Sequence, residues 1–228
     1  MFIWRAAVVL GLVAGQAAAR TTPLSVPVGT APVVDGTMSD AEWAGSLKIE
    51  RHGQTVWLRA DAERVYIGIR GAGPAITTVC IDEPERVRVL HASAALGEVS
   101  YDRKDGALKL RGPVEYARQP AGDAEGASAA REAHFAAHGW TGSVVGVGAP
   151  GVTELAISRE ALGLSEGKEQ SFPLALSLLS MAGGKGAGKF TLPDGLSDAT
   201  VDRRMQAGMF LESAAFTPES WAVLTIGE

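Results

Sequence analysis

Four side chains on one face of a predicted hairpin have the chemical types that recognise sugars. In residues 54–70, Trp57, Arg59, Tyr66 and Arg70 alternate with apolar residues, and alternate side chains of a strand share one face. An exposed aromatic ring covers the apolar C–H face of a sugar, while charged side chains hydrogen-bond its hydroxyls. These four residues are therefore the first candidates for carbohydrate binding.

The same side chains also have a structural interpretation, which stays open at this point. The predicted register places Arg59 opposite Tyr66, as an ordinary cross-strand pair. Trp57 would lie opposite Gly68 and shield the glycine. Trp140, beside a predicted acidic loop, is the next candidate for an aromatic contact to a sugar.

His134 and His138 are four residues apart in a predicted helix over residues 128–138, closed by Gly139. This spacing places both imidazoles on one helix face, as in metal-binding pairs. The glutamate that follows the first histidine in zinc-protease helices is absent, since Phe135 stands there. No acidic or cysteine ligand has an evident place beside the pair. We therefore interpret both histidines as ordinary exposed residues.

Several acidic residues could supply carboxylates to a structural calcium ion. They lack the spacing of a defined calcium loop, and turns of acidic proteins commonly collect such residues. Calcium therefore stays one possibility, and no other cofactor is expected. The candidates are Asp82, Glu83 and Glu85, with Asp194, Asp198 and Asp202 elsewhere.

Residues 183–189 satisfy the spacing G-x-x-x-x-G-K of a phosphate-binding loop,. Phe190 stands where such a loop needs Ser or Thr for magnesium, and Pro193 excludes the helix whose N-terminus would hold phosphate,. We interpret the run as a mobile surface loop.

The elements that position these residues are short apolar segments separated by Gly, Pro and Asp, which predicts an all-β fold. Asp61 to Arg64 form the hairpin turn, residues 86–101 form a strand that breaks at Gly97, and residues 117–130 form a loop. The other predicted elements are strands at 76–81, 107–110, 144–147, 153–157 and 174–179, and a helical turn at 158–162.

The N-terminal residues have the features of an export signal. Arg5 precedes an apolar run, and Ala17-Ala18-Ala19 supplies an A-x-A cleavage site,. We assign residues 1–19 to a signal peptide and residues 20–228 to a single β-sandwich domain, periplasmic or secreted. No further apolar stretch is long enough for a membrane span.

Charge and cysteine content exclude other classes. Without residues 1–19, 20 basic residues stand against 26 acidic ones, a net charge of −6, which argues against nucleic acid,. Cys80 is the single cysteine, so neither an intrachain disulfide nor a thiolate zinc cluster can form,. We expect a monomer stabilised by its core.

Residues 32–43 have a distinctive order. The apolar pair Val33-Val34 is followed by Asp35-Gly36, a turn, and then Ser39, which could cap a helical turn carrying Glu42-Trp43,. We expect Trp43 to fill one end of the core.

This opening resembles that of the family 9 carbohydrate-binding modules, which begin with an apolar pair, Asp-Gly, a spacer and Glu-Trp. Nearly the whole mature chain shares the resemblance, which continues through residues 55–61, 65–69, 79–82, 139–141, 154–157, 161–163 and 218–224. It implies a jelly-roll-like antiparallel β-sandwich, with sugar binding in part of the family and calcium sites in some modules.

Two function classes follow, with a third in reserve. The first is a non-catalytic extracytoplasmic module that binds carbohydrate, because no catalytic set of residues is visible. The second is a structural or interaction protein that kept the sandwich without a sugar site. The third is a redox subunit, because some similar sandwiches hold haem, with Met205, Met209 and His91 as candidate ligands,.

Overall fold

The computed structural model describes residues 23–71, 73–113, 115–118, 125–143, 151–164, 170–180 and 189–227. Two sheets dominate these residues, which confirms the predicted all-β sandwich. The strands are β1 (Leu24–Val26), β2 (Leu47–Arg51), β3 (Gln54–Ala60), β4 (Arg64–Gly71), β5 (Ala75–Glu83), β6 (Arg86–Ala92), β7 (Ala95–Lys104), β8 (Ala107–Leu110), β9 (Glu115–Arg118), β10 (Trp140–Gly142), β11 (Gly151–Ser158), β12 (Ser171–Ser180), β13 (Phe190–Leu192) and β14 (Ala222–Ile226). The helices are α1 (Glu125–Ala137) and α2 (Arg203–Gln206), with 3-10 turns at Glu160–Leu162, Ala199–Val201 and Pro218–Ser220.

The larger sheet has nine strands among the described residues, in the order β1-β14-β12-β5-β6-β7-β8, with β13 beside β12 and β9 beside β7. The smaller sheet has the order β10-β11-β4-β3-β2. Neighbouring strands are antiparallel, except that β1 runs parallel to β14. Strands from both ends of the chain therefore belong to one sheet.

The main core lies between the two sheets, where alternate residues of facing strands pack together. Leu58 and Ile67 of the smaller sheet and Leu90 and Leu176 of the larger one are fully buried there. Burial of each such side chain contributes about 1.5 to 3 kcal/mol of transfer free energy. The packing of the two sheets against each other determines which face of each strand points inward.

The outer faces of both sheets are covered as well. We call residues 27–46 the N-terminal cover, since Trp43 and Met38 pack there against Trp57 and Tyr66 of the smaller sheet. Residues 194–221 form the C-terminal cover, which packs on the larger sheet through the residues Leu196, Met205, Phe216 and Trp221. Several strands are consequently buried on both sides.

The local predictions agree with the structure at the hairpin and at the helix. Arg59 pairs with Tyr66 and Trp57 with Gly68, which confirms the predicted register. The predicted helix over 128–138 is α1, and Gly139 follows it with a φ of +79°, as a left-handed helix end requires,.

The predicted strand break at Gly97 is wrong. The chain turns instead at residues 93–94, where the Ser93 N–H donates to the Ala95 carbonyl over 2.9 Å. Gly97 lies inside β7 and pairs with both His91 and Tyr116. The predicted strand at 144–147 and the proposed signal peptide lie outside the described residues. No helix among the described residues is both long and apolar enough to cross a membrane.

Candidate functional site

The polar face of the hairpin lies under the N-terminal cover. Trp57 is 6% exposed and Tyr66 is 4% exposed, and both pack against Trp43. Neither ring is exposed, as an aromatic contact to a sugar would require. Period-2 alternation separates the two faces of a strand, but it does not reveal which distant segment will pack on the second face.

Arg59 fastens this cover to the sheet. Its guanidinium donates hydrogen bonds to the carbonyls of Thr30 at 3.0 Å, Glu42 at 2.9 Å and Ala44. A buried arginine needs such acceptors because an unpartnered charge is costly to bury. Arg59 therefore stabilises the cover through three hydrogen bonds of its guanidinium.

Tyr66 also has a structural partner. Its hydroxyl donates to Asp61 Oδ2 over 2.6 Å. Burial, together with the hydrogen bond to the Asp61 carboxylate and its charge, raises the pKa of Tyr66 well above its usual value. The phenol is therefore a neutral donor that ties β4 to the hairpin turn.

Trp57 already has cationic neighbours over its ring. The Arg70 guanidinium lies 5.1 Å from the ring centroid and Lys48 Nζ lies 5.7 Å from it, within the range of cation–π attraction. Arg70 also pairs with Asp40 at 2.8 Å. Sugar binding by this face stays a prediction, and it would require the N-terminal cover to move.

The structure adds Glu154, a buried partner of the cover that the sequence did not reveal. Its carboxylate accepts hydrogen bonds from Trp43 Nε1 at 3.3 Å, from the Gly36 N–H at 2.8 Å and from the Asp35 N–H at 3.2 Å. Desolvation raises the pKa of Glu154, and these three hydrogen bonds oppose the rise only in part. Glu154 therefore holds the Asp-Gly turn on β11.

A cleft of about 1060 Å³ opens where β6 and β7 extend past the apolar core. Arg88 is two residues from Leu90 on β6, and Glu98 is two residues from Leu96 on β7, so each charged residue shares a strand face with a core leucine,. Both charged residues therefore face the smaller sheet. The end of α1 and residues 158–163 line the opposite wall. The charged groups lining the cleft are Glu83, Arg86, Arg88, Glu98, Arg111, Glu115, His138 and Glu160.

The floor of this cleft is a buried ion pair. Arg88 Nε and a terminal nitrogen donate to the two oxygens of Glu98 at 2.9 and 3.1 Å, a bidentate arrangement,. Arg88 also donates to the His138 carbonyl at 2.8 Å, which attaches the helix end to the sheet. The pair is thereby fixed in place.

The Glu98 carboxylate has several donors around it. Burial alone would raise its pKa, but the hydrogen bonds and charge of Arg88, the Trp140 N–H and the charge of His138 together lower the pKa below its usual value. Glu98 is therefore an anion at neutral pH.

Trp140 supports the cleft without lining it. The indole is 2% exposed, packs on Phe135 with ring centroids 4.7 Å apart, and donates its N–H to Glu98 over 2.7 Å. The prediction that Trp140 contacts a sugar stays untested, and the observed position gives it an indirect role beneath the floor.

A carboxylate does lie beside the two histidines, contrary to the sequence interpretation. Glu115 Oε2 is 2.8 Å from His134 Nε2 and 3.7 Å from His138 Nδ1. One ligand atom from each of the three residues falls within 4.8 Å of the others. Glu115 escaped notice because β9 reaches α1 through its pairing with β7, a contact that residue spacing does not encode.

Three of the acidic calcium candidates lie in ion pairs. Asp82 pairs with Arg103, and Glu83 pairs with Arg86 at 2.6 Å. Asp194 lies 3.6 Å from Arg51. Calcium binding at Asp82, Glu83 and Glu85 stays a prediction that would require the first two ion pairs to open.

Two further acidic residues serve as caps. Asp198 accepts from the Thr200 N–H and from Trp221 Nε1, the latter at 2.6 Å, and Asp202 caps α2 through the Arg204 N–H. These carboxylates stabilise the C-terminal cover.

The proposed haem ligands do not share one environment. Met205 is fully buried in the apolar C-terminal cover, whereas Met209 is exposed. Burial lowers the pKa of His91 to about 4, so this imidazole is neutral. Haem binding remains an untested alternative, and most of the glycine-rich run at 183–189 lies outside the described residues.

The comparisons with known proteins concern overall architecture. A family 9 carbohydrate-binding module from Caldicellulosiruptor kristjanssonii in complex with cellotriose shares 12% identity at a TM-score of 0.46, over 90% of this chain and 93% of that chain. A family 9 structure from the same organism in complex with glucose shares 9% identity at a TM-score of 0.45, over 90% and 96%. No family model and no curated protein matches the chain.

Proposed function

We propose that this protein is a non-catalytic, extracytoplasmic binding module whose ligand is a neutral carbohydrate held in the cleft above Arg88 and Glu98. The observation that carries the proposal is the lining of the cleft. Three arginines stand among four glutamates, with Ser100 and the edge of α1 between them. A volume of about 1060 Å³ lies slightly above the usual range for small-molecule sites,.

The charges of this lining favour a ligand with many hydroxyls and no net charge. Arginine only donates hydrogen bonds and a glutamate carboxylate only accepts them, whereas each sugar hydroxyl does both. A strongly anionic ligand would meet the glutamates, and a strongly cationic one would meet the arginines. Arg88 and Glu98 satisfy each other, so a ligand would bind the more exposed Arg86 and Arg111. Each of these two guanidinium groups has five N–H donors, and the ion pairs with Glu83 and Asp102 are each made through Nε,.

The extracytoplasmic part of the proposal depends on residues 1–19, whose composition is typical of an export signal,. The non-catalytic part depends on the sequence, in which no catalytic set of residues is visible.

The test is binding of the mature chain to a panel of neutral oligosaccharides, including cellotriose, followed by calorimetry of each positive. Arg111→Ala and Arg86→Ala should each weaken the binding by about tenfold, the scale of one lost interface contact, with melting temperatures near wild type. Arg204→Ala is the matched control. The Arg204 side chain is 60% exposed, close to the 58% of Arg111, but it does not line the cleft.

Two results would contradict the proposal. One is the absence of binding to every sugar of the panel. The other is binding that Trp57→Ala abolishes without loss of stability while Arg111→Ala leaves it unchanged, since the ligand would then occupy the hairpin face.

A further inference from the structure

The cluster of Glu115, His134 and His138 lies at the rim of the cleft and has the geometry of an ion-binding site. The two histidines are four residues apart on α1, so both imidazoles lie on one side of the helix,. Zinc binds imidazole nitrogen and carboxylate oxygen at about 2.0 to 2.2 Å, which places two ligand atoms of a tetrahedral ion about 3.3 Å apart. The observed separations from Glu115 Oε2, 2.8 and 3.7 Å, bracket that value.

We propose that these three residues bind a divalent transition-metal ion of the zinc type. Two imidazoles with one carboxylate suit zinc and its neighbours, whereas calcium and magnesium prefer oxygen ligands alone. Three protein ligands leave a fourth position of a tetrahedral ion open. Glu115 and His138 also line the cleft, so the bound ion would border the same space.

A fourth residue supports the arrangement. Glu98 Oε2 lies 3.4 Å from His138 Nδ1, and Glu98 is itself held by Arg88 and Trp140. His138 Nδ1 is also the atom nearest Glu115, so Glu98 supports the site through its negative charge beside the ion and not as a partner of the other ring nitrogen,.

The experiment is a zinc titration of the mature chain in competition with a chromogenic chelator. The wild type should bind one ion per chain, and His134→Ala, His138→Ala and Glu115→Gln should each weaken binding by about tenfold or more. His52→Asn is the matched control, because His52 is exposed on the turn between β2 and β3 and its φ of +51° suits asparagine,. Excess calcium should not displace the zinc.

Thermal unfolding supplies an independent readout. A bound ion joins β9 to α1, so zinc should raise the melting temperature of the wild type and of His52→Asn but not that of the cluster variants. Similar melting temperatures without zinc would show that the variants fold. The proposal is overturned if the wild type binds no zinc, or if His134→Ala and His138→Ala bind it as the wild type does. Sugar binding is measured with variants outside the cluster, so each proposal can fail alone.

Discussion

Trp43 shows what a single residue contributes to this molecule. Its ring lies between the N-terminal cover and the smaller sheet, where it contacts Trp57 and Tyr66. Its indole N–H donates to the buried carboxylate of Glu154. The prediction that Trp43 is buried is confirmed, although its position is on the outer face of the smaller sheet and not between the sheets.

Replacement of Trp43 by alanine should lower the free energy of unfolding by about 3 to 5 kcal/mol, because a large buried ring leaves a cavity and Glu154 loses a donor. Denaturant titration measures the change. Val33→Ala is the control on the same segment, since Val33 is 62% exposed, and it should stay within about 0.5 kcal/mol of wild type,. A loss below about 1 kcal/mol for Trp43→Ala would show that the ring is not packed as described.

At the scale of elements, the closeness of the cover to β4 depends on Gly68. A Cβ atom placed on Gly68 would lie 2.6 Å from Met38 Cε and 2.7 Å from Trp43 Cζ2. Both distances are far shorter than van der Waals contact. Gly68 therefore lets the N-terminal cover approach the strand, while Trp57 lies opposite it on β3.

Gly68→Ala should consequently destabilise the protein by about 1 to 3 kcal/mol, the usual cost of overpacking. Gly112→Ala is the comparison, because a Cβ there meets nothing within 4 Å, and reduced entropy of the unfolded chain should make it neutral or slightly stabilising. Equal melting temperatures of the two variants would mean that the cover is loosely attached.

At the scale of the whole molecule, the buried ion pair of Arg88 and Glu98 connects the larger sheet to the end of α1 and to Trp140. The pKa of Glu98 is lower in the folded protein than its ordinary value of 4.5. The ionised Glu98 carboxylate therefore contributes its full stabilisation above pH 4.5, and this stabilisation is lost as the pH falls through the pKa of Glu98 in the folded protein,.

Glu98→Gln should cost roughly 3 kcal/mol at neutral pH, because Arg88 then keeps a buried charge without its principal partner. The difference in unfolding free energy between wild type and variant should narrow below pH 4.5, as measured by denaturant titration across a pH series. Glu50→Gln, which alters an exposed ion pair with Lys48, is the control and should remain close to wild type throughout. If this difference in unfolding free energy stays constant down to acid pH, the ionised Glu98 carboxylate does not stabilise the fold as described.

The sequence by itself determined the local structure of this protein. Alternation of apolar residues in 54–70 predicted the hairpin and the pairing of Arg59 with Tyr66, because the period of a strand is a property of the backbone,. Gly139 predicted the end of α1 for a similar reason, since its positive φ suits glycine,. The break assigned to Gly97 failed because sheet pairing held that glycine inside β7.

Only the tertiary structure decided which faces are open and which charged groups meet. Trp57 is buried because the N-terminal cover packs on it. Glu154 accepts a hydrogen bond from Trp43, although the two residues are 111 positions apart in the sequence. Glu115 meets His134 because β9 pairs with β7 and α1 packs beside them. Contacts between distant segments depend on the packing of whole elements, and residue spacing along one element does not encode them.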